Sequence, residues 1–301
     1  MMYPRLKLLR ELLKDDGVIF ISIDDAEVAH LRMICDDIFG KENFVANVIW
    51  EKKYSPSNDA KWFSDSHDHI LVYAKNKNIW RPNLLERSDE ANARYKNLDN
   101  DSRGLWKSSD ILVKTFSNSG VFAIKNPITG KEYYPPKGSC YRFSEETAKR
   151  MLEENRFYFG KDGTGAPQLK RFLSEVKDGV TSKTIWFRDE VGDNQEGKQE
   201  INYILSGRNL FDTPKPTRLI QRILQLTTSK DDIILDSFAG SGTTAHAVLE
   251  QNKLDGGNRK FILIETMDYA KDITAERVKR VVEGYSFIGK DKTTLFEKKL
   301  T

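Results

Sequence analysis

The chain has 301 residues with a formal net charge of +3 at pH 7, and 39% of its residues are hydrophobic. This length allows a sizeable core and two domains, whereas so small a charge permits a nucleic-acid partner without indicating one. Cys35 and Cys140 lack paired spacing, no apolar run approaches the ~20 residues of a membrane span, and the N-terminus has no apolar signal core, so we expect a cytoplasmic protein without disulfides, metal site or membrane partner.

The chain begins with a helix and a strand. Residues 2–17 (MYPRLKLLRELLKDDG) predict an amphipathic helix that ends at a glycine and turns Leu6, Leu9 and Leu13 inward. The unbroken apolar run from Val18 to Ile23 predicts a strand that is buried on both faces.

The acidic stretch ISIDDAE after this strand could indicate a metal site or the start of a helix. Asp24 lies three residues before Glu27, and we favour a capped helix start because carboxylates are common in a first helical turn. The buried stripe of this helix is predicted at Leu31, Ile34, Cys35 and Ile38.

Two histidines, His67 and His69, point to one side of the next predicted strand, HDHILVYAKN. Metal ligands can be arranged in this way, but no cysteine, histidine or paired acid nearby offers a third ligand. We therefore interpret both as polar residues at the beginning of the strand.

The pattern changes between residues 77 and 205, where short segments, turns and scattered aromatics replace the buried strands. This predicts a second domain of mixed α+β character inserted into the first. Basic and aromatic residues alternate in WEKKYSPSN, SRGLWKSSD and KTIWFRDE, which suits contact with phosphates and stacking on bases. Trp106, Trp186 and Phe187 could instead belong to the core, as large aromatics often do.

The segment FDTPKPTRLIQRIL, residues 211–224, predicts a further helix. Thr213 is the expected N-cap, with Pro214 beside it at a position that tolerates proline.

The segment DIILDSFAGSGTTAHAVLEQN, residues 232–252, predicts a strand, a tight turn and a helix. Its apolar run is typical of a parallel strand buried on both faces, and Gly240 and Gly242 permit dihedral angles closed to other residues. Ligands of open α/β sheets bind at such strand ends. The next strand, FILIET, ends at Glu265, 23 residues after Gly242, close to where a nucleoside site places the acid that holds the ribose hydroxyls.

Three ligand classes fit this turn to different degrees. The glycine spacing formally matches an NAD fingerprint, but only a short helix and a polar tail follow Glu265, where a second mononucleotide-binding half is needed. No Lys-Ser or Lys-Thr pair follows the glycines, which disfavours a phosphate-binding loop. Asp236 at the strand end suits a cationic ligand such as S-adenosylmethionine. Alternatively, Asp236 only caps the turn and Glu265 is a solvated strand end.

Several linked motifs resemble one family. DSFAGSGTT resembles the S-adenosylmethionine motif of amino-methylating DNA methyltransferases, and FDTPKPTRLIQRIL is similar to the Lys-Pro helix that completes the cofactor pocket in their circularly permuted beta class. YPRLKLLRELLKDDGVIFISIDD, HDHILVYAKN, GKDGTGAPQLKRFLSEV and SKTIWFRDEVGDNQEGKQEI resemble the modification subunits of type III restriction-modification systems. The likeness extends from about Tyr3 to Gly284.

The resemblance implies a site-specific DNA methyltransferase that acts on adenine N6 and has a Rossmann-like, circularly permuted core. It divides the chain into a catalytic-side part of the core (1–76), a target-recognition domain (77–205), an S-adenosylmethionine-binding part (206–285) and a polar tail (286–301). The implied partners are double-stranded DNA, a second modification subunit and a restriction subunit.

S-adenosylmethionine is the implied cofactor. Its implied binding residues are Asp236, Phe238, Gly240, Gly242, Thr243, Thr244, Glu265, Lys215, Pro216 and Thr217. Candidate DNA contacts, taken from the basic and aromatic strings, are Lys52, Lys53, Tyr54, Arg103 and Lys107.

The family's Asp-Pro-Pro-Tyr segment, which accepts hydrogen bonds from the target amine, has no counterpart in this sequence. The nearest strings are YYPPKG at 133–138, which no acid precedes, and NPIT at 126–129, which lacks the second proline and the aromatic. We assign no catalytic residue. We expect a chain truncated before this motif and also at its C-terminal end, which does not methylate DNA by itself.

Two other functions stay open at this point. One is a DNA-recognition or assembly module that keeps the methyltransferase shape without chemistry. The other is a nicotinamide-dependent oxidoreductase, which would bind NADH and not S-adenosylhomocysteine.

Overall fold

The computed structural model describes residues 2–207, 211–288 and 295–298. The helices are α1 (Met2–Leu12), α2 (Val28–Phe39), α3 (Asp89–Asn92), α4 (Glu145–Glu153), α5 (Arg188–Val191), α6 (Asn194–Leu205), α7 (Thr217–Thr227), α8 (Thr243–Asp255) and α9 (Glu276–Glu283). The strands are β1 (Val18–Ile23), β2 (Phe44–Glu51), β3 (His67–Ala74), β4 (Trp106–Ser109), β5 (Leu112–Val113), β6 (Ile124–Lys125), β7 (Glu132–Tyr133), β8 (Cys140–Tyr141), β9 (Phe157–Tyr158), β10 (Gln168–Phe172), β11 (Ile185–Trp186), β12 (Ile233–Asp236), β13 (Lys260–Leu263), β14 (Tyr285–Ile288) and β15 (Leu295–Lys298). The predicted α/β class is confirmed.

The chain divides into two compact units. The smaller unit comprises residues 86–180, and the larger unit contains the segments on either side of it. The insertion expected at 77–205 is wider than the smaller unit, since residues 77–85 and 181–205 belong to the larger one. There β11 pairs in parallel with β2, and Trp186 is buried in the core of that unit. Because β2 and β11 lie far apart in sequence, no local sequence pattern marks where the smaller unit ends.

A four-stranded sheet with the order β1-β3-β2-β11 lies in the larger unit. β3 runs antiparallel between β1 and β2 and is buried along nearly its whole length. β1 has the predicted bounds, and its alternate apolar residues pack against hydrophobic clusters on both faces of the sheet. They are only partly buried, unlike those of β3, because among the described strands β1 is an edge strand that pairs only with β3.

Hydrophobic clusters cover both faces of this sheet. The cluster that joins α1 and α2 to β3 contains the predicted inward residues of both helices, Leu6, Leu9, Leu13, Leu31, Ile34, Cys35 and Ile38. The cluster on the opposite face joins β2 and β3 to α7 through Val48, Trp50, Ile70, Val72, Leu219 and Leu226. The amphipathic character of α1 and α2 is thus confirmed, although α1 already ends at Leu12.

The start of α2 differs from the prediction. The helix begins at Val28, and the side chain of its N-cap residue, Glu27, makes no capping hydrogen bond. The Glu27 carboxylate instead lies 3.1 Å from Nδ1 of His30. The predicted capped start at Asp24 is wrong because a turn separates this residue from the helix.

A second, two-stranded sheet carries the glycine turn. β12 and β13 run parallel, with Ile233 opposite Lys260 and Asp236 opposite Leu263. One side of the pair is covered by α7 and α8, which contribute Leu224, Ala247 and Val248 to the core. The prediction that these strands are buried on both faces is wrong, since the side chains of Ile233 and Ile262 are more than half exposed.

The smaller unit has the predicted mixed α+β character. Its three-stranded antiparallel sheet has the order β4-β10-β9, and its core contains Phe122, Ile124, Tyr141, Ala148, Phe157 and Phe159. The ammonium group of Lys170 is fully buried and forms ion pairs with Asp99 and Asp101. Buried charges of this kind are tolerated only when they are paired.

The C-terminal part contains a pair of strands. β14 runs antiparallel to β15, with Tyr285 opposite Lys298. The polar tail expected at 286–301 therefore includes strand residues, and the rest of it lies outside the described residues. No helix within the described ranges is long and apolar enough to cross a membrane.

Candidate functional site

The turn between β12 and α8 is held in a shape that its two glycines make possible. Gly240 has φ +50° and Gly242, the N-cap residue of α8, has φ +76°. A Cβ atom at Gly242 would lie 3.0 Å from the carbonyl oxygen of Thr274. Side chains are disfavoured at such positive φ angles, and here the neighbouring backbone leaves no space for one.

Asp236 organises the first half of this turn. One oxygen of its carboxylate accepts a hydrogen bond from the backbone N–H of Phe238 at 3.1 Å, and the other accepts from the Thr244 hydroxyl at 2.5 Å. The carboxylate therefore does cap the turn, as the simpler interpretation of the sequence expected. Each oxygen still has a second lone pair with which it can accept from a ligand.

Glu265 closes the turn from the neighbouring strand. Its Oε2 accepts from the backbone N–H of Gly240 at 2.8 Å, and its Oε1 accepts from the N–H groups of Thr266 and Met267. Desolvation would raise the pKa of this carboxyl, but the three backbone N–H groups outweigh it and the net shift is downward. Glu265 is thus a fixed, ionised carboxylate beside the turn and not a freely solvated strand end.

Lys215 lies between the turn and the large sheet. Its carbonyl accepts from the Thr243 hydroxyl at 3.1 Å, and its ammonium group lies 2.9 Å from a carboxylate oxygen of Asp68 on β3. The other oxygen of Asp68 accepts from the ammonium group of Lys52 at 2.8 Å. The Lys215 ammonium also lies over the ring of Trp50, 4.7 Å from its centroid.

The helix that follows Lys215 is capped by a residue that the sequence pattern did not indicate. α7 begins at Thr217 with Pro216 as N-cap, so the prediction of Thr213 as the cap is wrong. The carboxylate of Glu200 on α6 accepts from the backbone N–H of Thr217 at 3.0 Å and from its hydroxyl at 2.8 Å. A carboxylate from another helix thus satisfies a donor that a local cap usually takes.

Arg277 connects these elements from the inside. Its fully buried guanidinium group donates to the hydroxyls of Ser241 and Thr243, at 3.1 and 2.8 Å, and to that of Thr217 at 3.3 Å. It also lies 3.6 Å from the Glu200 carboxylate. Neither residue was singled out from the sequence, because each looks like an ordinary charge on an amphipathic helix.

A family model described as DNA methylase, for N6 and N4 methyltransferases, matches residues 1–276. The chain belongs to this DNA methylase family.

Several curated members of the DNA methylase family are similar to the chain. The StyLTI modification subunit of a type III restriction-modification enzyme from Salmonella typhimurium is 41% identical over 89% of this chain and 40% of its own length. The EcoPI modification subunit of Escherichia phage P1 is 35% identical over 87% of this chain and 44% of its own length. The type II methyltransferase M.KpnI of Klebsiella pneumoniae is 34% identical over 87% and 65%. The chain thus spans less than half of the two modification subunits.

Most of the residues that the resemblance implied for the cofactor lie around the turn in this DNA methylase. Gly240 is hydrogen-bonded to Glu265, and Thr244 to Asp236. Lys215 and Thr217 are joined to the turn through Thr243 and Arg277. Phe238 lies at the rim with its side chain about half exposed. The strand, glycine turn and helix predicted for residues 232–252 therefore form the centre of the candidate site.

The candidate DNA contacts fall into two groups. The charged groups of Lys52 and Arg103 already have partners within the protein. Lys52 pairs with Asp68, and the guanidinium group of Arg103 binds Asp101 and two backbone carbonyls. Tyr54 is exposed, Lys53 is partly exposed, and Lys107 lies over the ring of Tyr95. Of the three aromatics that could have been core residues, Trp106 and Trp186 are buried, whereas Phe187 is about half exposed.

A basic groove in the smaller unit was not predicted. It has a volume of about 480 Å³, and five cations and two carboxylates line it: Arg142, Arg150, Arg156, Lys170, Arg171, Glu154 and Glu175. Arg156 is neutralised by Glu175, with nitrogen–oxygen distances of 2.9 and 2.6 Å. Arg150 approaches Glu154 only to 4.0 Å, and Arg171 is exposed and has no ion-pair partner among the described residues.

Proposed function

We propose that this chain is the cofactor- and DNA-binding part of a methyltransferase that modifies adenine N6 in DNA, within a type III restriction-modification system. The observation that carries the proposal is the turn between Asp236 and Thr243, closed by the Glu265 carboxylate. Family membership and the similarity to two type III modification subunits support it.

The residues of the turn fit S-adenosylmethionine. Gly240 and Gly242 leave backbone without side chains where a ligand approaches. Glu265 is ionised and held at a strand end, where a carboxylate accepts from ribose hydroxyls, and Asp236 offers negative charge to the cationic end of the ligand. When bound, S-adenosylmethionine supplies the methyl group on its sulfonium.

In methyl transfer, the residues of this chain would hold the methyl donor in position. The Asp68 carboxylate and the Trp50 ring hold the Lys215 side chain, and the Lys215 carbonyl fixes the Thr243 hydroxyl. Methyl transfer needs the donor and the amine aligned within a few ångströms, and such alignment lowers the barrier of a reaction between two molecules. We name no residue that receives the target amine, since Asp-Pro-Pro-Tyr is absent from these 301 residues.

We propose that the insertion expected at 77–205, whose compact part is residues 86–180, recognises the target sequence. The basic groove supports DNA binding by this unit, because arginines that are not fully neutralised suit DNA phosphates, which supply much of the affinity and fix the protein's register on the duplex. Double-stranded DNA is then the substrate, and a second modification subunit and a restriction subunit are the proposed protein partners.

A DNA-recognition or assembly module without chemistry is the second candidate function. The absence of a recognisable amine-binding segment in the sequence favours this module. The ordered turn between Asp236 and Thr243, called the cofactor turn below, favours the enzyme. Incubating the chain with labelled S-adenosylmethionine and mixed-sequence DNA separates the two. Methyl-adenine formation that Asp236→Ala abolishes would establish the enzyme, and we expect none from the chain by itself.

The proposed cofactor site is tested by calorimetry with S-adenosylhomocysteine. Asp236→Ala removes the acidic partner, Gly240→Val places a branched side chain at a φ of +50° on the face that the ligand approaches, and Glu265→Ala removes the ribose acceptor. We expect each variant to bind more weakly than the parent while circular dichroism shows an intact fold. Unchanged binding in all three would show that the pocket lies elsewhere.

A further inference from the structure

The loop between β2 and β3, residues 52–66, carries two large aromatic side chains in solvent. Trp62 is 82% exposed and Phe63 is 95% exposed. Large aromatics stabilise a fold or a complex by leaving water, and neither of these does so within the described part of the chain. An adjacent exposed pair of this kind marks a surface that meets a partner.

The loop presents this pair on a fixed backbone. At its base, the backbone N–H groups of Lys52 and Lys53 both donate to the Ser66 carbonyl, at 3.0 and 3.3 Å. Nearer the tip, the N–H of Ser57 donates to the Ser64 hydroxyl at 2.7 Å. Trp62 and Phe63 lie within the segment that the Ser57–Ser64 contact closes, which restrains their backbone before a partner binds.

The base of the loop is connected to the cofactor turn. The Lys52 ammonium binds Asp65 at 2.6 Å and Asp68 at 2.8 Å. Asp68 in turn binds Lys215, whose carbonyl accepts from Thr243 in the turn. The loop therefore begins two ion pairs and one hydrogen bond away from the residues proposed to hold the methyl donor.

The chemistry of the tip indicates which partner it meets. The ammonium group of Lys61 lies 5.4 Å from the centroid of the Trp62 ring, and Lys53 lies at the base of the same loop. Cations combined with aromatic faces are the arrangement that binds single-stranded nucleic acid, because the cations meet phosphates and every base can stack on a ring.

We propose that Trp62 and Phe63 stack on bases that become unpaired when the DNA duplex opens beside the cofactor turn. This assignment rests on the proposed function, in which DNA is the substrate and the target adenine must leave the duplex to be methylated. The two rings would hold the opened DNA strand by stacking on its bases, while Lys53 and Lys61 contact its phosphates.

The distribution of tryptophans provides a direct readout. Of the five tryptophans, Trp50, Trp80, Trp106 and Trp186 are buried, so Trp62 is the one that DNA can reach. Stacking of a base on its ring quenches its fluorescence. We expect single-stranded DNA, and duplex with a central mismatch, to quench the emission of the full chain in step with binding followed by fluorescence anisotropy of labelled DNA.

Matched variants separate stacking from other effects. Trp62→Phe should keep the affinity and lose the quenching, whereas Trp62→Ala combined with Phe63→Ala should weaken binding to mismatched duplex on the order of 5- to 100-fold. Met33→Ala, which removes another largely exposed apolar side chain, from α2, should leave binding unchanged. All variants should fold, since none removes a buried group.

Three results would overturn the assignment and are distinguishable. If DNA binds the parent by anisotropy but neither quenches tryptophan nor responds to the double alanine variant, the loop does not stack on bases while the proposed function survives. If that variant changes only the oligomeric state, the pair covers a protein surface and the assignment also fails. If no DNA binds the parent at all, the proposed function itself is lost, together with the inference.

Discussion

The carboxylate of Glu265 accepts a hydrogen bond of 2.8 Å from the backbone N–H of Gly240 and so ties the end of β13 to the turn that follows β12. The two strands lie side by side, and the bond joins their carboxyl ends. It places negative charge beside a backbone that carries no side chain, which is the combination that a nucleoside ligand requires. The shape of the turn and the charge of the site therefore depend on the same contact.

Replacing Glu265 with glutamine should weaken this contact in a pH-dependent way. The pKa of Glu265 is lowered in the folded chain, so its stabilisation is present above the ordinary pKa of about 4.3 and is lost as the pH falls through the folded value. At pH 7 we expect Glu265→Gln to be about 1 kcal/mol less stable than the parent. Urea unfolding at pH 7 and in mild acid measures this, and a gap that widens in acid would contradict the account.

Gly242→Ala should destabilise the chain more than Gly256→Ala. Both glycines have φ angles near +70°, so both substitutions cost about 1 kcal/mol or more in backbone strain. Only at Gly242 does the new Cβ also meet backbone, 3.0 Å from the Thr274 carbonyl, whereas the space at Gly256 is open. Thermal unfolding compares the two, and equal losses would mean that Thr274 moves aside freely.

Arg277→Met should cost about 3 kcal/mol or more of stability, because it leaves the Glu200 carboxylate and several hydroxyls without their buried partner. Desolvation already raises the pKa of Glu200, and removing the cation should raise it further. Arg277→Lys keeps the charge and should recover part of the loss. The measurement is unfolding with and without S-adenosylhomocysteine. A methionine variant as stable as the parent would show that Arg277 does not hold the turn.

The basic groove should contact DNA phosphates through charge. Arg150→Gln and Arg171→Gln should each weaken DNA binding and lower the slope of log affinity against log salt by about one. Lys149→Gln is the control: it removes one positive charge from α4, the helix that carries Arg150. The Lys149 ammonium already pairs with Glu145 at 2.8 Å, so this substitution should change the slope little. Binding titrations at several salt concentrations measure this. Equal slopes for Lys149→Gln and Arg171→Gln would place the phosphate contacts outside the groove.

The part of the site that could be predicted from sequence is the part that is local in the chain. The strand, the two glycines and the helix that form the cofactor turn follow one another within residues 232–252, and Glu265 ends the next strand. Local patterns of apolar residues and glycine are enough to predict such a unit.

The unpredicted part of the site depends on tertiary contacts. Arg277 and Glu200 meet Thr217 from helices that lie far from it in sequence, and no local pattern distinguishes them from solvated charges. The same cause explains the wrong N-cap at Thr213, because a carboxylate from α6 supplies the cap. The cations of the groove come from separate segments around α4 and β10 for which sequence spacing gives no signal.

The burial of the strands was overestimated for a related reason. An apolar run predicts a strand but not the number of its neighbours, so Val18–Ile23 is correctly placed and packed on both faces, but as an edge strand it is less deeply buried than predicted. β12 and β13 show the same difference. Burial is decided by which elements pack on a strand, and that is a property of the whole fold.

The binding of a methyl donor at the cofactor turn is tested most directly by a calorimetric titration of the purified chain with S-adenosylhomocysteine and, separately, with NADH. We expect S-adenosylhomocysteine to bind at one site per chain, Glu265→Ala to weaken this binding, and NADH to give no saturating heat. Saturable binding of NADH without any heat from S-adenosylhomocysteine would contradict the assignment of the turn between Asp236 and Thr243 as a methyl-donor site.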